Sequence, residues 1–210
     1  VVRNEYESGE NQPFQVMLKR MQSVAYDWHN YGNSTIGNRS DIENVKIENL
    51  QAFYHMYYQP DNAVLLVAGK FDEAKVLQWV GKYFGVIPKP KRELPKLWTV
   101  EPTQDGERTF AVRRKGDIQI VALGYKLPSG LHADSDAVGF INYALTDSPT
   151  GRLHKALVET GKAAQIIGFP LSGADGSLHL IGAIVKKGDP VEPVRAELIK
   201  IVEEFFKNPP

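Results

Sequence analysis

The side chains best suited to chemistry are five histidines and a short acidic segment near the start of the chain. The histidines are His29, His55, His132, His154 and His179. No two stand at the i, i+4 spacing that turns two imidazoles from one helix toward a metal. His154 and Glu159 are five residues apart, the wrong spacing for one helical face. Glu5 and Glu7 lie in a short polar stretch, Arg3 to Gly9, where a lone glutamate is ordinarily solvated. The chain has no cysteine, which removes disulfides, thiolate zinc sites and cysteine nucleophiles. It has no G-x-S-x-G, hence no nucleophile elbow. Gly168-Phe-Pro-Leu-Ser-Gly173 lacks the spacing and the trailing Lys-Ser/Thr of a phosphate loop. Gly173 and Gly176 read as turn residues, a role in which glycine's usual use is positive φ. His29 sits in Trp28-His-Asn-Tyr-Gly32, an aromatic cluster with a turn that can line a pocket or simply end a helix. The residues by themselves describe an α/β protein without a complete active site.

The 210 residues allow one large domain or two small ones. With 42% hydrophobic and 24% charged residues the composition fits a folded, soluble globular chain. Twenty-five basic and 25 acidic residues cancel, which argues against a general nucleic-acid binder. No apolar run approaches the roughly 20 residues needed for a membrane span. The opening residues do not read as a signal peptide, and Val1 is not an initiator methionine, so the chain is expected to start inside something longer.

Periodicity supplies the framework. Pro13 suits a helix start, and Phe14, Met17, Leu18, Met21 and Ala25 continue it to near Asn30. Ile47, Leu50, Tyr54 and Tyr57 mark another helix, stopped by Pro60. The continuous apolar run Ala63–Ala68 predicts a strand buried on both faces. Asp72 opens a helix through Val76, Leu77, Val80 and Phe84. Prolines 88, 90, 95 and 102 among lysines predict a semi-rigid linker. Strands are predicted at Thr109–Arg113, Ile118–Lys126, Gln165–Phe169 and Ser177–Val185. Helical patterns follow Asp134, span Leu153 to Val158, and start again at Pro193. The resulting division is 1–87, a linker at 88–106, and 107–210.

The order of motifs carries a resemblance. Val1-Val-Arg-Asn-Glu-Tyr-Glu-Ser-Gly-Glu-Asn-Gln-Pro13 is similar to the segment of insulinase/pitrilysin-type (M16) zinc peptidases that holds the third metal ligand. His29-Asn-Tyr-Gly-Asn-Ser-Thr-Ile-Gly37 resembles that family's H-P-Y-G-x-x-x-I-G segment. Leu50 to Gly69, through Tyr58-Gln-Pro-Asp-Asn62, resembles its helix, turn and strand, and Tyr57–Gly69 is the most specific part. Asp147-Ser-Pro-Thr-Gly-Arg-Leu153 resembles a Ser-Ser-Arg-Leu stretch that opens a helix in the following domain.

The resemblance implies an α+β fold of two related units, with mainly antiparallel sheets covered by helices. Residues 1–87 would be the C-terminal part of the first unit and residues 107–210 the N-terminal part of the second. It implies that Glu5 is a Zn2+ ligand in a longer metallopeptidase, in which zinc acidifies a water and polarises the scissile carbonyl. Glu7 and Glu10 do not fall on the ligand position. The family's H-x-x-E-H, with two histidine ligands and the general base, is absent, so this piece is expected to be inactive and to hold no zinc stably. The implied partners are peptides or unfolded proteins, with no nucleic acid and no membrane span, and a cut sheet predicts self-association. The most similar bacterial members are often exported, which implies a periplasmic location. A non-catalytic family member, holding substrate or serving a structural role, is the alternative.

Overall fold

The computed structural model describes residues 1–209. Its first part runs α1 (Val2–Glu10), α2 (Pro13–Ala25), a 3-10 turn (Asn30–Gly32), α3 (Arg39–Asn44), α4 (Ile47–Tyr57), a second 3-10 turn (Pro60–Asn62) and α5 (Glu73–Tyr83). Its second part runs β1 (Ile118–Leu127), α6 (Ser135–Thr146), a π-type turn (His154–Val158), β2 (Gln165–Ser172), β3 (Ser177–Lys186) and α7 (Val191–Lys207). The architecture is α+β, with one three-stranded antiparallel sheet among the described residues.

The sheet order is β1-β3-β2. β2 and β3 form a hairpin closed at Ser172 and Ser177, and β1 pairs along the other edge of β3, from Ile118 opposite Lys186 to Leu127 opposite Ser177. Successive side chains of a strand point to opposite faces. Ile181, Ala183 and Val185 therefore join Leu145 of α6, Leu153 and Leu157 at the π turn, and Val194, Leu198, Val202 and Phe205 of α7. Leu178 and Leu180 join Met17 and Met21 of α2. Helices thus cover both faces of the central strand. α7 carries its apolar residues at intervals of four, four and three, which keeps them on one stripe. It begins two residues before Pro193, which is tolerated in the first turn, where N–H groups have no intrahelical acceptor.

α2 starts at Pro13, as its sequence predicts, but ends at Ala25 rather than near Asn30. Tyr26 turns to extended backbone (φ −113°, ψ 127°). The next three amides, those of Asp27, Trp28 and His29, donate to a carboxylate elsewhere instead of to helical carbonyls.

Two compact units result: 1–38 with 99–210, and 39–98. The change at Trp98–Thr99 falls within the proline-rich 88–106 stretch. The change at Asn38–Arg39 coincides with no boundary in the 1–87, 88–106, 107–210 division, because α2 packs on the sheet built from residues 118–186.

The unit 39–98 is built differently. Asp72 caps α5 by accepting from the Lys75 amide at 3.1 Å. Arg92 forms a bidentate pair with Asp61 (2.6 and 2.8 Å) and also donates to the Met56 carbonyl. That pair holds the Asp61 carboxyl below its usual range, chiefly through the Arg92 hydrogen bond. No side chain of α3, α4 or α5 is buried. The predicted strand Ala63–Ala68 is not one here: the run carries no ladder, and Val64 and Leu66 are 95% and 85% exposed. A strand needs a neighbour for its N–H and C=O groups, and none of the described residues supplies one. Thr109–Arg113 likewise joins no sheet, although Phe110 packs against the Met17–Leu180 cluster.

The two units predict opposite responses to the same change. Leu198 is fully buried, so Leu198→Ala should cost about 2–5 kcal/mol in urea unfolding followed by fluorescence. Leu77 is 70% exposed, so Leu77→Ala should stay within about 0.5 kcal/mol in the same titration.

Candidate functional site

Glu5 stands in the first turn of α1, on the exposed surface, where a carboxylate complements the positive end of the helix dipole. Its neighbours are occupied. Glu7 accepts from Arg3 Nε at 3.1 Å. Glu10 accepts from Arg114 Nη2 at 3.0 Å and faces Lys19 Nζ at 3.5 Å. The Arg114 hydrogen bond is the main influence holding the Glu10 carboxyl below its ordinary value. Among the described residues Glu5 has no ion pair or side-chain hydrogen bond, so it is the acidic side chain of α1 left open to a cation. The described residues contain no cluster of three or more histidine, aspartate or glutamate side chains able to hold a metal. Glu5 alone therefore does not make a zinc site.

The histidines are committed elsewhere or isolated. His179 is buried on β3, with Nε2 2.9 Å from Asn142 Oδ1, and burial pushes its pKa down, so it sits neutral in the core. His29 accepts the Tyr31 N–H on Nδ1 at 3.1 Å, capping the Asn30–Gly32 turn. That assignment leaves the proton on Nε2, which faces Asp175 Oδ2 at 3.5 Å. The His29 and Tyr31 rings meet edge-on with centroids 4.2 Å apart, and Tyr26 meets Tyr31 in the same way at 5.9 Å. The cluster seats on the β2–β3 turn. Tyr31 Oη accepts the Asp175 N–H at 3.3 Å, and a Cβ on Gly173 would lie 2.5 Å from the Tyr31 ring. Neither Gly173 nor Gly176 has positive φ. Glycine serves at 173 by making room for a tyrosine, not by adopting a left-handed conformation.

The strongest electrostatic feature escapes the sequence reading. Glu101 accepts the backbone N–H groups of Asp27 (2.8 Å), Trp28 (3.0 Å) and His29 (2.8 Å), and the Lys126 ammonium at 2.8 Å. Burial is the largest single influence on this carboxyl and opposes its charge. The lysine and the three amides together outweigh burial and bring the pKa from 4.5 down to about 2. A carboxylate so tightly held is a tether and not a general base. Lys126 also lies over the Tyr26 ring, 5.2 Å from its centroid. Arg108 completes the clamp by donating to the Val24 carbonyl at 2.9 Å and pairing with Asp27. In the sequence Glu101 is only one acidic residue in a proline-rich stretch. Pro102 after it favours extended backbone, but nothing local names its partners.

A family profile described as the peptidase M16 inactive domain matches residues 44–210. The chain belongs to the M16 peptidase family. Glu5 lies outside the matched M16 residues. The M16 relative zinc protease PqqE of Helicobacter pylori is 30% identical over 202 residues, covering 95% of this chain and 46% of the relative. Presequence protease 1 of Arabidopsis thaliana is 29% identical over 227 residues, covering 99% of this chain and 21% of the relative. The crystal structure of a protease from H. pylori superposes with a TM-score of 0.92 at 29% identity, over 100% of this chain and 51% of that one. The chain thus spans about half, or less, of the length of these M16 relatives.

The clamp dictates an acid response. Glu101 is depressed in the folded state, so its contribution is complete above the unfolded value of 4.5 and is lost as pH falls toward 2. Glu101→Gln should lower stability by about 1–3 kcal/mol at pH 7 and flatten the pH dependence between 5 and 3, read by urea titration at each pH.

Proposed function

We propose that this chain is part of a zinc metallopeptidase that hydrolyses peptide bonds in peptides or small unfolded proteins, and that Glu5 is one carboxylate ligand of its metal. The observation that carries this reading is the state of α1. Of Glu5, Glu7 and Glu10, the residue at the family's ligand position is the one without a cationic partner among the described residues. The similarity to H. pylori zinc protease PqqE over 95% of the chain supports it. In this reading the remaining ligands and the base come from polypeptide beyond these residues, since the described residues hold no group of three or more histidine, aspartate or glutamate side chains able to bind a metal. In this reading the chain alone is inactive.

The matching profile describes an inactive domain at residues 44–210 and bears on that part alone, so the alternative is a non-catalytic family member. In that reading the whole protein holds substrate or serves a structural role without catalysis. The two part over the gene upstream of Val1, where the peptidase requires H-x-x-E-H.

Metal analysis of the full-length gene product tests the assignment. The peptidase reading expects about one zinc per chain. Glu5→Gln should weaken zinc at least about 100-fold, since even residues that merely support ligands cost 10–100-fold. Glu7→Gln should leave zinc content unchanged. Equal zinc affinity in wild type and Glu5→Gln would remove Glu5 from the site.

A further inference from the structure

α1 has little of its own to hold it in place. Its nine residues are fewer than the roughly 12–15 at which an isolated helix begins to persist in water, and Gly9 weakens it further. None of its side chains is buried, so no apolar core fixes it against the rest of the unit. Its last turn carries no basic residue to balance the negative end of the helix dipole. Asn11 donates to the Glu7 carbonyl at 3.0 Å, which closes the helix end but ties it to nothing else. Two other segments hold it. Lys19 of α2 donates to Tyr6 Oη at 3.3 Å and lies over the Tyr6 ring, 4.6 Å from its centroid. Arg114, shortly before β1, donates from Nη1 to the Glu10 carbonyl at 2.8 Å and from Nη2 to Glu10 Oε2 at 3.0 Å. That carbonyl is among those at a helix end that have no intrahelical N–H. An arginine 104 residues along the chain thus supplies the cation that the last turn of α1 lacks.

We propose that Arg114 is a positioning residue: by holding the C-terminal end of α1 against the segment that leads into β1, it aims Glu5 at the metal. The proposal rests on the peptidase reading, in which Glu5 is a ligand. An ordinary surface ion pair is worth little, but this one has more than charge. The planar guanidinium presents its donors in fixed directions, and here they meet one main-chain and one side-chain oxygen of the same residue. Both the distance and the orientation of the helix end are therefore set. Glu5 and Glu10 are five residues apart, about 7.5 Å along the helix axis, so Arg114 acts on Glu5 through the helix and not by contact. A ligand must be held within about 0.5 Å of its productive place, so loosening α1 weakens metal binding without touching a ligand. Lys19 ties α1 to the next helix, whereas Arg114 ties it to the strand side of the unit.

Zinc affinity of the full-length gene product, measured by competition with a chromogenic chelator, tests the proposal together with hydrogen exchange of the zinc-free protein. Arg114→Ala should weaken zinc about 3- to 10-fold, the scale of one partly exposed charge-assisted hydrogen bond. Peptides covering 2–10 should exchange faster by a similar factor, while peptides from β3 stay protected. Arg114→Lys keeps the charge without the fork and should still bind zinc more weakly than wild type. In a Glu5→Gln background, Arg114→Ala should change zinc affinity by less than about twofold, because its effect passes through Glu5. Unchanged zinc affinity in Arg114→Ala, beside a large loss in Glu5→Gln, would overturn the positioning role and leave Glu5 a ligand. So would unchanged exchange of α1, full recovery by Arg114→Lys, or an equal Arg114→Ala loss with and without Glu5, which would mark a merely structural effect. If Glu5→Gln alone left zinc affinity unchanged, the ligand assignment would fall and this inference with it.

Discussion

The burial of β3 on both faces is the constraint on which the rest of the 1–38 and 99–210 unit depends. A central strand of alternating side chains presents two apolar surfaces, and each must be covered. α6, the π turn and α7 cover one. The other is left for a helix that comes more than 150 residues earlier in the chain, α2. That requirement gives α2 its burial at Met17 and Met21. It also brings residues 26–33 against the β2–β3 turn, where Tyr31 meets Gly173 and His29 meets Asp175.

Polar contacts then fix what apolar packing only brings together. A helix that stops at Ala25 leaves the next backbone N–H groups without helical acceptors. Glu101 takes three of them, and Lys126, from the sheet, balances its charge. One carboxylate therefore joins the end of α2, the segment after the prolines and β1. Arg114 plays a smaller version of the same part for α1 through Glu10. Arg114 engages Glu10 and Arg3 engages Glu7, while Glu5 meets no cation among the described residues.

The 39–98 unit shows the opposite balance. Its order comes from helix caps, turns and the Arg92–Asp61 pair, while its apolar side chains face outward. Local hydrogen bonds can shape helices and turns, but a sheet needs a second strand, and an apolar face needs a surface to lie against. The contrast between Leu198 and Leu77, equally apolar and similarly placed on amphipathic helices, is a contrast in what surrounds them.

The sequence by itself indicated α2, α4, α5, α6 and α7, with Pro13 starting α2 and Asp72 capping α5, and the strands β1, β2 and β3, because capping and hydrophobic period act over a few residues. Motif order also sufficed to indicate the family. Only the tertiary structure decided that α2 belongs with a sheet far along the chain, that Glu101 is an anchor, and that Gly173 is glycine to admit Tyr31. It also decided that the most strand-like run, Ala63–Ala68, carries no strand here. Each of these depends on a partner distant in sequence. Residue type sets what a side chain or a backbone segment requires, and only the folded chain shows whether the required partner is present.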